Sequence, residues 1–342
     1  MKALVVRLSS IGDVIHTLPS AAALHRQGWN VGWLVEPLSR PLLDANPAVS
    51  TVTVAPPARA FRLSSARSAA TRLRAERFDV ALDFQGLWKS AGWARVSGAP
   101  RALGFGGAWR REPASALLAG EKAAVPAEAI HVIDKNLALL RLLGIEALGL
   151  REFPLPAAGA EEESVARQLA GLGMGTFAVL NAGGGWRNKL WPAERFGAVA
   201  IGLRDRRLRS LVTWGPGEEG LADQVVAQSD AAAVRCFPTT LLELAAILRR
   251  ARVVVAADTG PLHLACAVGT PVVGIFGPTD PARNGPWDRA DQVVRHVPSC
   301  APCHKRQCAI HDGVMGTIEA AEVVAAIDRR LDVVAGSRGV AV

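Results

Sequence analysis

Short apolar runs recur along the chain and alternate with segments in which apolar positions return every three or four residues. Ala3 to Leu8, Val31 to Val35, Val52 to Val54 and Val80 to Asp83 have the length and β-branched content of buried strands, while Val14 to Gln27, Leu63 to Arg77 and Ile130 to Leu143 have helical spacing. The second half repeats this grammar in Phe177 to Asn181, Glu194 to Arg204, Ser210 to Thr213, Leu241 to Arg249, Val253 to Ala257 and Val272 to Phe276. Strands that are apolar throughout and separated by helices predict parallel sheets covered on both faces, the α/β class. Between the halves, Arg151 to Glu163 combines two prolines, small residues and three consecutive glutamates, which predicts a boundary and two domains, 1–155 and 156–342. Ligands of such sheets sit beyond the carboxyl ends of the strands, here in an expected central cleft between two doubly wound halves.

Composition narrows the class. Half of the 342 residues are hydrophobic and a fifth are charged, as in foldable globular proteins. No stretch approaches the length of a membrane span, and the opening apolar run, interrupted by Arg7, is too short for a signal-peptide core. Five cysteines, odd in number and mostly late in the chain, make a poor disulfide framework and point to a reducing cytoplasm. Residues 1–150 hold 18 basic and 11 acidic side chains, so they carry +7 of the overall +8 and predict an anionic partner for the first half.

Candidate chemistry falls in loops that follow the apolar runs. Asp13, after Ser9-Ser10-Ile11-Gly12, is either a helix cap or a general base held at a strand end. The first loop lacks G-x-G-x-x-G, which disfavours a nicotinamide or flavin dehydrogenase. Gly183-Gly184-Gly185-Trp186-Arg187-Asn188-Lys189 follows another strand; its glycines would let backbone approach a phosphate and Lys189 would supply charge, but the spacing is not that of a P-loop. Asp258-Thr259-Gly260-Pro261-Leu262-His263 opens a helix whose free N–H groups suit a diphosphate. Arg59, Arg62, Arg67, Arg72, Arg74 and Arg77 share a segment with one acid, Glu76, and read as a solvated face or an anion-binding surface; scarce aromatic residues speak against nucleic acid. Cys300, Cys303, Cys308 and His311 have a spacing compatible with zinc, although reduced thiols are the favoured reading, and no Asp-x-Asp clamp for a metal diphosphate exists.

Taken together, these segments resemble glycosyltransferase family 9, the bacterial lipopolysaccharide heptosyltransferases. The resemblance rests on the 9–13 loop with His16-Thr17-Leu18-Pro19, on Asp83-Phe84-Gln85-Gly86-Leu87-Trp88-Lys89-Ser90, on the Lys189 loop, on Trp214 to Glu219, and on Asp258 to His263 with Gly277-Pro278-Thr279-Asp280. It implies a GT-B architecture, two Rossmann-like domains facing a cleft, the first binding acceptor and the second nucleotide sugar. It further implies metal-independent, inverting transfer of heptose from ADP-heptose to a Kdo sugar of lipid A by a cytoplasmic enzyme at the inner membrane surface, with no cofactor. By position, Asp13 looks like the catalytic base and Ser10 its neighbour. Lys189 looks like the diphosphate ligand, Glu218 or Glu219 the ribose ligand, Thr259, Gly260 and His263 the phosphate loop, and Asp258 a residue near the sugar. Arg59, Arg62, Arg67, Arg72, Gln85 and Lys89 are the acceptor-side candidates. The first loop and the 83–90 motif look most like the first-heptose branch; another branch of the family is the alternative, and a nucleotide-sugar epimerase a more distant one.

Overall fold

The computed structural model describes residues 1–57, 60, 62–302 and 313–338, so Arg59, Cys303, Cys308 and His311 lie outside the described residues. The chain forms two compact units, Met1–Ala157 and Ala158–Val342. In the first unit, strands β1 (Lys2–Val6), β2 (Asn30–Val35), β3 (Thr51–Val54), β4 (Val80–Asp83), β5 (Arg101–Phe105) and β6 (Glu121–Ala123) form one parallel sheet in the order β3-β2-β1-β4-β5-β6. In the second, β7 (Phe177–Asn181), β8 (Arg209–Thr213), β9 (Ala233–Arg235), β10 (Val253–Ala257), β11 (Val272–Phe276) and β12 (Gln292–Arg295) are likewise parallel, in the order β12-β11-β10-β7-β8-β9. Every residue of β7, β10 and β11 is buried, which is why these strands read as unbroken apolar runs.

Helices flank both sheets: α1 (Ile11–Ile15), α2 (Leu18–Arg26), α3 (Leu63–Glu76), α4 (Trp88–Val96) and α5 (Val132–Leu139) in the first unit, then α6 (Gly159–Gly171), α7 (Ala193–Arg204), α8 (Glu219–Ala227), α9 (Leu241–Arg250), α10 (Gly260–Ala267), α11 (Pro281–Asn284) and α12 (Ala320–Arg338) in the second. Leu4, Val6 and Leu34 pack with Leu73 of α3 and Ala94 of α4, and the second core joins Phe196, Val199 and Leu203 of α7 to Ile327 of α12. The Trp191 indole, almost wholly buried, donates to the Ile318 carbonyl at 3.1 Å and so ties the approach to α12 onto the entrance of α7.

Some expectations change. The helix expected over Val14 to Gln27 is two helices, because Pro19 in the first turn of α2 has no N–H to continue a ladder and favours a new start. The glutamates 161–163, part of the stretch expected to mark the domain boundary, belong to α6; Glu161 and Glu162 stand in its first turn, where negative charge is favourable. Helix α4 and the short strands β5, β6, β9 and β12 were not evident in the sequence.

Candidate functional site

Each sheet reverses its winding direction once, between β1 and β4 in the first unit and between β7 and β10 in the second. Ligand crevices of doubly wound sheets form at such switch points, beyond the carboxyl ends of the strands. The loops that carry Asp13, Gln85 with Lys89, Lys189 and Asp258 follow β1, β4, β7 and β10 respectively, the four strands that border the two switch points.

In the first unit Asp13 is joined to Ser10 and to a residue not assigned from the sequence, Arg7, whose guanidinium also reaches the Phe84 carbonyl next to Gln85. Asp13 Oδ2 accepts from the Ser10 amide and hydroxyl, both at 3.1 Å, and Oδ1 accepts from Arg7 Nη2 at 2.5 Å. The carboxylate therefore does cap α1, yet 42 % of the Asp13 side chain stays exposed, so a hydroxyl can reach it. Gln85 Oε1 accepts from the Leu8 amide at 3.0 Å. Beneath this loop, buried Arg110 donates to Asp83 Oδ2 at 2.7 Å and to the Phe105 carbonyl at 2.6 Å, while Asp83 Oδ1 accepts from the Gln85 and Gly86 amides. Asp83 and Arg110 thus shape the turn that presents Gln85. Lys89 is held by Glu36 at 2.8 Å. Arg62, Arg67 and Arg72 are exposed at the entrance to and along α3, and their guanidiniums make no hydrogen bond or ion pair among the described residues. Arg72 lines an open crevice of about 390 Å³ with Ser64, Ser65 and Ser68.

In the second unit Lys189, Asp258 and His263 converge. Asp258 is 5 % exposed and its two oxygens receive four donors: Lys189 Nζ at 2.5 Å and Thr279 Oγ1 at 2.8 Å on Oδ2, Asn284 Nδ2 at 2.6 Å and His263 Nε2 at 3.3 Å on Oδ1. Burial alone would push this carboxyl up, but the His263 hydrogen bond and the Lys189 and His263 charges outweigh it and hold it well below the usual carboxylate range. Asp258 is thus an organising anion for Lys189, whose ammonium also lies 4.8 Å over the Trp186 ring. Neither Thr279 nor Asn284 had been singled out as a site residue; the first sat inside a quoted motif, but the second carried no sequence signal.

The glycine loop has a steric origin. A Cβ on Gly183 would lie 1.9 Å from Glu218 Oε2, and one on Gly184 would lie 2.9 Å from Thr259 Cγ2. Glu218 is half-buried and accepts from the Gly215 amide at 2.9 Å, whereas Glu219 is exposed in the first turn of α8, so Glu218 is the glutamate seated against the loop. Thr259 and Gly260 stand at the start of α10. Gly183→Ala is expected to swing the flexible Glu218 carboxylate off Gly215 and lower stability by about 1 kcal/mol, the low end for added bulk because the far end of a side chain can yield, with one hydrogen bond lost. A crystal structure of the variant, set beside its urea unfolding curve, checks both halves of that expectation.

Among the described residues no group of three His, Cys, Asp or Glu side chains is placed to hold a metal ion, and no helix is long and apolar enough to cross a membrane. Cys236 and Cys266 are buried; burial pushes the first thiol up to about 12 and raises the second as well, so neither supplies a thiolate near neutrality.

Two Rossmann-like units, each a parallel doubly wound sheet with polar loops at its switch point, make up an α/β fold of the GT-B kind. The family model for glycosyltransferase family 9 (heptosyltransferase) matches residues 66–312, and the chain belongs to that family. It is 32 % identical over 320 residues to lipopolysaccharide heptosyltransferase 1 of Pseudomonas aeruginosa, covering 90 % of this chain and 87 % of the relative. The enzyme of the same name from Escherichia coli K12 is 30 % identical, covering 86 % and 93 %. The fold is similar to that of E. coli heptosyltransferase WaaC with ADP, at a TM-score of 0.78, 24 % identity and coverage of 96 % and 100 %. A family 9 glycosyltransferase from Veillonella parvula superposes at 0.81 with 18 % identity, covering 96 % and 97 %.

Proposed function

We propose that this glycosyltransferase moves L-glycero-D-manno-heptose from ADP-heptose to a Kdo residue of lipid A, with inversion at the anomeric carbon and Asp13 as general base. The observation that carries the reading is the Asp13 carboxylate, fixed through both oxygens at the carboxyl end of β1 and still nearly half exposed. Such a carboxylate can take the proton of an acceptor hydroxyl as the oxygen attacks the anomeric carbon from the face opposite the leaving ADP. In this scheme Lys189 and the start of α10 stabilise the charge that grows on the departing diphosphate, and Glu218 takes the adenosine ribose. Asp258 acts through Lys189 and His263, with its own oxygens committed to protein donors. No metal or other cofactor enters the scheme. Support for the donor comes from the names of the relatives, heptosyltransferases, and from the ADP in a structure of similar fold.

The acceptor side is assigned to the first unit and its excess positive charge, with Gln85 and Lys89 near the sugar and the α3 arginines toward lipid phosphates at the cytoplasmic face of the inner membrane. Replacing Arg62, Arg67 and Arg72 together by serine is expected to raise the acceptor KM about tenfold and weaken sedimentation with anionic vesicles, with ADP-heptose affinity unchanged. An unaltered acceptor KM would return α3 to a plain solvated face. The reaction itself is tested by incubating the protein with ADP-heptose, with and without Kdo-lipid A, and following ADP release and lipid mass. Acceptor-dependent ADP release with a gain of one heptose supports the reading; its absence with this pair of substrates overturns it.

A further inference from the structure

We propose that Arg7 is the positioning residue for the Asp13 carboxylate, holding it in register with the carboxyl end of β4; the proposal rests on the reading of Asp13 as the base. Arg7 interrupts an otherwise apolar run and is only 6 % exposed, a location where a charge is tolerated only when it is paired. Its main chain is pinned on one side of β1: the amide donates to the Leu34 carbonyl at 3.3 Å, and the carbonyl accepts from the Trp33 indole at 3.1 Å. From this fixed root the guanidinium divides its two terminal nitrogens, Nη1 to the Phe84 carbonyl and Nη2 to Asp13 Oδ1. One rigid planar group therefore fixes the distance between the base and the loop that presents Gln85. A lysine, with a single nitrogen on a flexible stem, cannot hold both anchors in the same geometry.

A purely structural staple between β1 and β4 is the competing reading. The two strands are already registered without it, through the ladder from Ala3 opposite Val80 to Val6 opposite Asp83, the Phe84 amide on the Val6 carbonyl at 3.2 Å and the Leu8 amide on Gln85. What Arg7 adds is a link from that frame to the carboxylate. Asp13 sits on a helix of five residues, too short to hold its own aim, and its other oxygen accepts from Ser10, three residues away.

The test is steady-state transfer from ADP-heptose to Kdo-lipid A by Arg7→Met and Arg7→Lys, each also made in an Asp13→Asn background. Arg7→Met is expected to lower kcat roughly 10²-fold, as misplacement of a reacting group does, with the KM for ADP-heptose unchanged. Arg7→Lys is expected to recover part of the loss. With Asp13 already replaced, Arg7→Met should lower the residual rate less than about twofold, because a residue that acts through another has nothing left to aim. An equal loss in both backgrounds would reduce Arg7 to a staple, and so would wild-type kcat in Arg7→Met. If Arg7→Met does not fold, Arg7→Lys decides: reduced kcat at unchanged donor KM supports the proposal, and wild-type kcat overturns it. Full activity in Asp13→Asn alone would instead remove the base reading, an outcome separate from any result on Arg7.

Discussion

Asp13→Asn is expected to lower heptose transfer by about 10²- to 10⁴-fold while leaving the dissociation constant for ADP-heptose within about twofold of the parent value. The amide keeps the size of the carboxylate and can still accept from Ser10, so the loop should keep its shape. What it loses is the capacity to take a proton, and its NH2 now faces either Ser10 or Arg7, both donors. Because Asp13 is on the first unit and the proposed donor ligands are on the second, the loss should appear in kcat with little change in donor affinity. Single-turnover rates with Kdo-lipid A, set beside calorimetric binding of ADP-heptose, measure the two quantities separately. Parallel loss of donor affinity would instead make Asp13 a substrate ligand.

The second large effect concerns Asp258. Asp258→Asn is expected to destabilise the second unit by about 3–5 kcal/mol, toward the lower end because the Lys189 side chain keeps 15 % exposure. The change preserves volume but leaves a mostly buried ammonium without its counter-charge and sets an NH2 group among the donors of Thr279, Asn284 and Lys189. Adding Lys189→Met should restore part of the stability and none of the transfer, which separates the charge imbalance from the catalytic loss. The pH dependence has a definite sign. The folded carboxyl of Asp258 lies below its unfolded value of about 3.9, so its contribution is complete above that value and is lost as pH falls through about 4 and lower. Urea midpoints of the parent should therefore drop below about pH 4 more steeply than those of Asp258→Asn.

Both sheets were legible because parallel strands buried on two faces become uninterrupted apolar runs, as Val253–Ala257 and Val272–Phe276 do. The loops carrying Asp13, Lys189 and Asp258 were legible because glycine and proline punctuate them. Their wiring was not. Arg110 reaches Asp83 from 27 residues away, and Lys189 meets Asp258 across 69, contacts that no local pattern encodes. Arg7 did leave a signal, a charge inside a strand-like run, and its partner could have been sought among nearby acids. The glutamates that open α6 carry no helical signal of their own, because the buried residues of that helix, Val165 and Leu169, fall later in it. Short strands such as β6 and β9, three residues each, fall below the length at which alternation can be recognised.

The reversal of strand order has a further consequence, for the way the chain is made. Strand β1 lies between β2 and β4, so one of its edges stays bare until residues 80–83 have left the ribosome, and β7 likewise waits for β10. The central seam of each sheet therefore closes late, through contacts distant in sequence, the kind that slow folding most. The loops that bear Asp13 and Gln85, or Lys189 and Asp258, meet only when that seam closes. A nascent or truncated chain that has formed β1 to β3 alone leaves the β4 edge of β1 unpaired and has no assembled chemistry.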